Sequence, residues 1–165
     1  MKTFMKWSMM TLLVMLTMCL FTSCGGDGDD DLLEGYVKTT EGVHRIEVTF
    51  DGDIDGFKTS LLFIAVYGDG SHGKVKLYEN GNEVGMGSYQ VEELRNYAVE
   101  TEKKCDQMNV AISASRDSKE AGRSMTVTLK SYINGKQVKS KTVTFSANEY
   151  YNSIIFDSEL DADTF

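Results

Sequence analysis

Hydrophobic and polar residues alternate with a period of two along much of the chain after Leu32. In the stretch HRIEVTF, residues 44–50, the apolar side chains of Ile46, Val48 and Phe50 share one parity, and charged or hydroxyl residues fill the other. This alternation is typical of a strand that buries one face in a core. The stretch therefore predicts a half-buried β-strand.

Further short runs of the same kind follow, separated by turns rich in Gly, Asp and Asn. They are TSLLFIAVY, KVKLYE, MNVAISA, SMTVTLKSY, KTVTFSA and NSIIF. TSLLFIAVY is apolar on both parities, as expected of a central strand covered on both faces. Only SYQVEELRN, residues 88–96, has a pattern compatible with a short helix. Short strands spaced about 8 to 15 residues apart indicate an all-β fold. We predict an antiparallel β-sandwich of immunoglobulin-like or similar plan, with a small β-barrel as the alternative.

The hairpin around INGK allows its strand register to be predicted. A plain two-residue turn at Asn134 and Gly135 places Val127 opposite Thr142, which sets unlike faces together. A slip by one residue places Val127 opposite Val143 and aligns the apolar faces, since such a slip moves every side chain to the other face. We therefore predict the second register, with an odd-length loop and Gly135 in a left-handed bulge.

Sheet edges in this chain need protection that does not come from proline, because the sequence contains none. Lysine on an edge strand also discourages pairing with other chains. Lys136, Lys139 and Lys141 lie together on the penultimate predicted strand. These residues predict that this strand is an edge of the sheet.

The N-terminus has the layout of a secretory leader. Lys2 and Lys6 precede an apolar run, residues 9–21, and two small residues come before Cys24. A membrane-spanning helix is the alternative, but it needs about 20 apolar residues. This run is shorter, and aspartates follow it where a cytoplasmic flank would carry Lys or Arg. The pattern therefore favours a removable signal peptide.

The stretch LFTSC, residues 20–24, resembles the lipobox of bacterial lipoproteins, with Phe21 standing where that family usually has Leu, Val or Ile. The resemblance implies that Cys24 is lipidated and becomes the first residue of the mature chain. The following GGDGDDD is similar to the acidic stretch that directs surface lipoproteins of some Gram-negative anaerobes to the outer face. The alternative for this stretch is a solvated spacer.

Three segments follow from this interpretation. Residues 1–23 are a lipoprotein signal peptide, residues 24–33 are the lipidated Cys24 and a flexible Gly/Asp linker, and residues 34–165 are a single β-sandwich domain. Two acyl chains hold a protein stably at a bilayer. We therefore expect a lipid-anchored protein of the cell envelope, at the outer membrane and exposed at the surface, with a periplasm-facing orientation as the alternative.

Charge and cysteine content exclude some classes of protein. Removal of residues 1–23 takes away two lysines and no acidic residue, so the net charge changes from −8 to −10. Such a chain lacks the basic surface that nucleic-acid partners require. Cys105 is the only cysteine after Cys24, so the domain has no disulfide framework. It is predicted to be a small half-buried apolar residue, with a reactive thiol as the alternative.

The clearest metal-like pattern is DGDIDG, in which Asp51, Asp53 and Asp55 alternate as in the opening of a calcium loop. The twelfth position of such a loop is a bidentate Glu, but here it is Leu62 within an apolar strand. An EF-hand is therefore excluded. A looser Ca²⁺ site between strands and a plain polar turn both stay open, and no other cofactor is expected.

The sequence offers more candidate residues for recognition than for catalysis. The chain has no GxSxG or HExxH motif. Tyr150, Tyr151 and Asn152 combine aromatic rings with polar tips, which suits a recognition surface for a glycan or another envelope protein. The alternative is that one tyrosine only packs on the core. We therefore predict a non-enzymatic binding or assembly module, without catalytic residues. A small extracytoplasmic hydrolase, assisted by calcium, is the alternative.

Cleavage of the leader can be tested by fluorescence. Trp7 is the only tryptophan and lies in the predicted leader. The mature protein isolated from cells should therefore show tyrosine emission and no tryptophan band. Mass spectrometry of the same sample should find fatty adducts on Cys24. Tryptophan emission from the isolated protein would contradict the prediction.

Overall fold

The computed structural model describes residues 40–67, 75–117 and 122–159. The predicted leader, Cys24 and the linker lie outside these residues. Within the described ranges there is no α-helix, and the only helical element is a short 3-10 turn, Ile54–Gly56. None of the described elements is a helix long and apolar enough to cross a membrane.

Ten strands account for most of the described residues. They are β1 (His44–Gly52), β2 (Phe57–Val66), β3 (Lys76–Glu79), β4 (Asn82–Met86), β5 (Ser88–Val91), β6 (Tyr97–Thr101), β7 (Gln107–Arg116), β8 (Ser124–Ile133), β9 (Lys136–Ser146) and β10 (Tyr151–Asp157). All paired strands are antiparallel.

The strands form two sheets that pack face to face. One has four strands in the order β10-β7-β2-β5, and the other has six in the order β4-β3-β6-β1-β8-β9. The sheets are joined at one corner, where Met86 of β4 pairs with Ser88 of β5. The other ends, β9 and β10, do not pair with each other. The predicted β-sandwich is confirmed, and the barrel alternative is wrong because the strand order does not close.

The core lies between the two sheets and follows the period-two pattern. Ile46 and Val48 of β1 are fully buried, as the alternation in HRIEVTF predicts. Phe63 of β2 contacts Tyr97 of β6 in the opposite sheet, with ring centroids 6.1 Å apart. Burial of such apolar area contributes about 25 cal/mol per Å², so this layer is the main source of stability.

The central strand β2 differs between its two faces. The inward parity, which includes Leu61 and Phe63, is fully buried. The outward parity is only half-buried, so the expected cover on both faces is not found. Across the sheet, outward-facing Leu62 pairs with Ala111 of β7, which pairs with Ile155 of β10. These three residues form an apolar row on the outside of the four-stranded sheet, and we call it the outer row.

The β8–β9 hairpin has the predicted register but a different turn. Val127 pairs with Val143 and Met125 with Phe145, as predicted. The predicted odd-length loop is wrong, because Asn134 and Gly135 form a two-residue turn with φ of 51° and 78°. Positive φ at both positions is what a type I′ hairpin turn requires. The extra residue that the register requires lies in β9, at a bulge two pairs from the turn, where the register shifts between Ser131 and Tyr132.

The stretch 88–96, whose pattern is compatible with a short helix, is not helical. Its first part is the strand β5, in which Tyr89 pairs with Phe63 of β2. Tyr89 and Val91 pack against the core on alternate positions, so the segment has the period of a strand. Four residues are too few for the sequence pattern to separate the two periods.

Candidate functional site

The sandwich is open along one side, where β9 ends one sheet and β10 ends the other. β9 is an edge strand, as its lysines predict. A groove of about 530 Å³ runs between the two edge strands, and we call it the edge groove. It is lined by Lys141, Val143, Thr144, Phe145, Glu149, Tyr151, Asn152, Ser153 and Ile154.

Two side-chain contacts hold the edges of the groove together. The Asn152 amide Nδ2–H donates to the Ser146 carbonyl at 3.1 Å, and its Oδ1 accepts from the Ser146 N–H at 3.2 Å. Asn152 is buried, at 8% exposure. Lys139 of β9 pairs with Asp157 of β10, with Nζ and Oδ1 3.1 Å apart. Asn152 therefore acts as a strap between the strands, and its polar atoms already have partners inside the protein.

The two tyrosines predicted for recognition are both exposed. Tyr150 is 64% exposed and Tyr151 is 40% exposed, at the start of β10. Ile155, on the same parity as Tyr151, is 44% exposed. An exposed ring with a polar tip can stack on an apolar face and hydrogen-bond at the same time. The structure thus brings Tyr151 and Asn152 to one groove, with Tyr150 next to it, and gives the tyrosines and the amide different environments.

The groove also contains charge of both signs. Lys141 and Glu149 both line it, together with the hydroxyl groups of Thr144 and Ser153. Near the C-terminal end of β9, the side chains that point inward are apolar, since Phe145 is buried and Val143 packs against the core. The surface can therefore make polar and apolar contacts to one extended ligand.

The predicted calcium residues lie in the turn after β1. Asp51, Asp53 and Asp55 are all exposed. The Asp51 carboxylate accepts from the Gly52 N–H at 2.9 Å, and the Asp53 carboxylate accepts from the Ser124 N–H at 3.5 Å. Among the described residues there is no group of three or more His, Cys, Asp or Glu side chains that could hold a metal ion. The three carboxylates are therefore not gathered around one point.

The position of this turn links it to the edge groove. The Asp53 N–H donates to the Ser124 carbonyl at 3.0 Å, and Ser124 pairs with Ser146 across β8 and β9. Ser146 is the residue that Asn152 holds. The acidic turn thus lies at the same end of the sandwich as the exposed tyrosines.

Sequence reasoning missed a buried polar cluster at the opposite end of β10. His44 Nε2 lies 2.9 Å from the Thr40 carbonyl, and Nδ1 lies 2.6 Å from Ser158 Oγ. A carbonyl only accepts, so Nε2 carries the proton and Nδ1 accepts from the Ser158 hydroxyl. Ser158 Oγ in turn accepts from the Met108 N–H at 3.0 Å. No motif signals this cluster, because its members are distant in sequence.

This cluster is closed to solvent. His44, Ser158 and Cys105 are each 0% exposed. Burial raises the pKa of the Cys105 thiol to about 11, so it stays protonated, and its S–H donates to the Gln107 carbonyl at 3.6 Å. The prediction of a small apolar residue fits the environment of Cys105, although the side chain is more deeply buried than predicted. The Ser–His contact is closed to solvent and ties Thr40 to Ser158.

Glu159 completes this end of the domain. It is 3% exposed, and its Oε1 accepts from the Thr40 N–H at 3.1 Å. Burial is the main cause that raises the pKa of this carboxyl above its ordinary 4.5. The two ends of the described chain are therefore held together by His44, Ser158 and Glu159.

The buried histidine predicts how stability depends on pH. Burial is the main cause that lowers the pKa of His44 from its ordinary 6.5. The unfolded chain therefore binds this proton more readily, so the free energy of unfolding should fall as the pH drops through 6.5. Urea unfolding followed across this window in the wild type and in His44→Gln measures the effect.

The His44→Gln variant separates the contribution of the histidine to the pH dependence of stability from that of the acidic groups. Glu159 acts in the opposite direction, because protonation of a carboxyl with a raised pKa favours the folded state. This term is present in both proteins. The loss of stability between pH 7.5 and 5.5 should therefore be smaller in His44→Gln. Equal slopes in the two proteins would contradict the assignment.

Comparisons with known proteins support the fold. No protein-family model and no curated protein matches the sequence. The chain is similar in structure to a DUF4425 domain of unknown function from Bacteroides vulgatus, with a TM-score of 0.63, 25% identity, and coverage of 72% of this chain and 96% of that one. It is also similar to a DUF4425 family protein from Bacteroides ovatus, with a TM-score of 0.61, 28% identity, and coverage of 72% and 94%.

A third solved structure shares the fold alone. It is the calcium-bound form of a protein from Parabacteroides distasonis, with a TM-score of 0.54 and 17% identity. The match covers 79% of this chain and 99% of that one. The three neighbours support the β-sandwich fold, and the two from Bacteroides carry a domain whose function is unknown.

Proposed function

We propose that this chain is a lipid-anchored protein of the cell envelope, held at the outer membrane through Cys24 and exposed at the surface. Its role is that of a non-enzymatic binding or assembly module. The anchor is supported by residues 20–24, whose pattern resembles a lipobox. The contact surface is the edge groove with the exposed side chains beside it.

The observation that carries the binding role is the exposed strip along β10. Tyr150, Tyr151 and Ile155 are three of the four large apolar residues described as exposed, and all three lie in or next to this strand. Scattered single apolar residues are normal on a protein surface, whereas a group of them beside a polar groove is typical of an interaction site. A glycan or another envelope protein is the partner that such a surface suits.

Position-specific crosslinking in intact cells tests this role. A photoreactive phenylalanine analogue replaces Tyr151 in one full-length protein and Met86 in another. Met86 is the matched control, because it is the fourth exposed large apolar residue, at 55% exposure, and lies at the β4–β5 corner. We expect adducts from position 151 and few from position 86. Equal yields at the two positions, or none at either, would refute a contact role for the strip.

Calcium binding at Asp51, Asp53 and Asp55 is a second candidate. The three carboxylates are exposed oxygen ligands on one short turn, of the type that Ca²⁺ prefers. The turn would have to rearrange to bring them around one ion. The calcium of the Parabacteroides structure belongs to that protein, so the candidate depends on the chemistry of this turn.

Thermal unfolding with and without calcium tests this candidate. Binding to the folded state alone raises its stability, so millimolar Ca²⁺ should increase the Tm of the wild type. Asp53→Ala should abolish that increase. Glu93→Ala serves as a control, since Glu93 is an exposed acid whose only described ion pair is with Arg95. A Tm that does not respond to calcium in the wild type would dismiss the site.

A further inference from the structure

We propose that the edge of β10 binds the β10 strand of a second copy of this chain, antiparallel and with the two Ser153 residues facing each other on a two-fold axis. This inference rests on the proposed assembly role and names its partner. The backbone, the side chains and the charges of β10 each support it.

Among the described residues, one set of backbone hydrogen-bonding groups of β10 has no strand partner. The Ser158 N–H donates to the Met108 carbonyl at 2.8 Å, and the Arg116 N–H donates to the Tyr150 carbonyl at 3.4 Å. Even-numbered residues of β10 therefore exchange hydrogen bonds with β7. In an antiparallel pair the residues between them point their N–H and C=O the other way. Those residues are Tyr151, Ser153 and Ile155, at the open edge.

The side chains at these positions are self-complementary. Pairing about Ser153 puts Tyr151 opposite Ile155 of the second copy, and the reverse pair forms by symmetry. An aromatic residue opposite a β-branched one is a favourable cross-strand pair. It also extends the outer row, because Ile155 lies beside Ala111 and Leu62 on the same face. The apolar row of one copy would continue into Tyr151 of the other.

The charges favour β10 over the other edge. Residues 150–156 contain no charged side chain, whereas β9 carries Lys136, Lys139 and Lys141. Lysine guards an edge against pairing, and an uncharged edge lacks that protection. At the ends of the pair Asp157 faces Glu149 of the second copy. Lys139 Nζ, 3.1 Å from Asp157 Oδ1, offsets this repulsion.

The contact is small, and the membrane anchor would supply the concentration it needs. Stable interfaces bury about 1,200–2,000 Å² in total, more than a short strand pair can provide. Anchoring in one membrane raises the effective concentration of the two copies. Because the two β10 strands run antiparallel, the two Thr40 residues lie at opposite ends of the strand pair. Residues 25–39, between the predicted lipid and Thr40, can span up to about 50 Å, so both anchors can reach one bilayer.

Charge reversal at the two-fold axis tests the inference. Full-length chains with two different affinity tags are purified in detergent, mixed at up to about 1 mM and stabilised with a short crosslinker before capture. Ser153 is exposed, so S153K and S153E leave the core intact. Each places like charges directly opposite each other across the interface and should lower self-capture by about tenfold or more. An equimolar mixture of S153K and S153E should restore capture, because the charges are then opposite.

The restored mixture also shows that the variants are folded. Self-capture of the wild type that is lost in each variant and recovered in the mixture supports the inference. Wild-type chains that fail to capture each other, variants that capture as well as the wild type, or a mixture that does not recover would each overturn it. Crosslinks specific to position 151 that persist in any of these cases leave the binding role standing with a different partner.

Discussion

The hydrogen bonds that a sheet cannot satisfy at its own edges are the constraint on which the rest of this structure depends. The two sheets share one corner, where Met86 of β4 pairs with Ser88 of β5. The β4 edge of one sheet and the β5 edge of the other are therefore joined. The remaining two edges, β9 and β10, meet on the open side. The edge groove, the exposed tyrosines and the proposed β10 contact lie along that side, because in the described ranges the sheet backbone ends there without a neighbouring strand.

The two edge strands differ in the side chains that they carry. β9 carries lysines, and one of them, Lys139, reaches across to Asp157 of β10. In the other direction, Asn152 of β10 hydrogen-bonds the N–H and the C=O of Ser146 in β9. Asn152 and Lys139 thus bridge the two edge strands, while Tyr151, Ser153 and Ile155 stay exposed on β10. The same strand therefore supplies both a structural amide and an exposed face, as its period-two alternation dictates.

The other end of β10 is buried and hydrogen-bonded within the domain. His44, Ser158 and Glu159 join the first and last described residues of the domain, and the polar atoms of His44 and Ser158 are matched without solvent. A buried neutral histidine is favourable only while it stays neutral. Protonation of His44 therefore opposes these contacts, at the end of the sandwich opposite the tyrosines.

The sequence by itself determined the alternating strands, the β8–β9 register and the lysine-guarded edge, because period-two burial and face matching are local properties of neighbouring residues. It could not decide whether SYQVEELRN is helical or where the extra residue of the hairpin goes. The His44–Ser158 contact and the meeting of β9 with β10 were also beyond it. Those features join residues far apart in the chain, and only the packing of the two sheets brings them together.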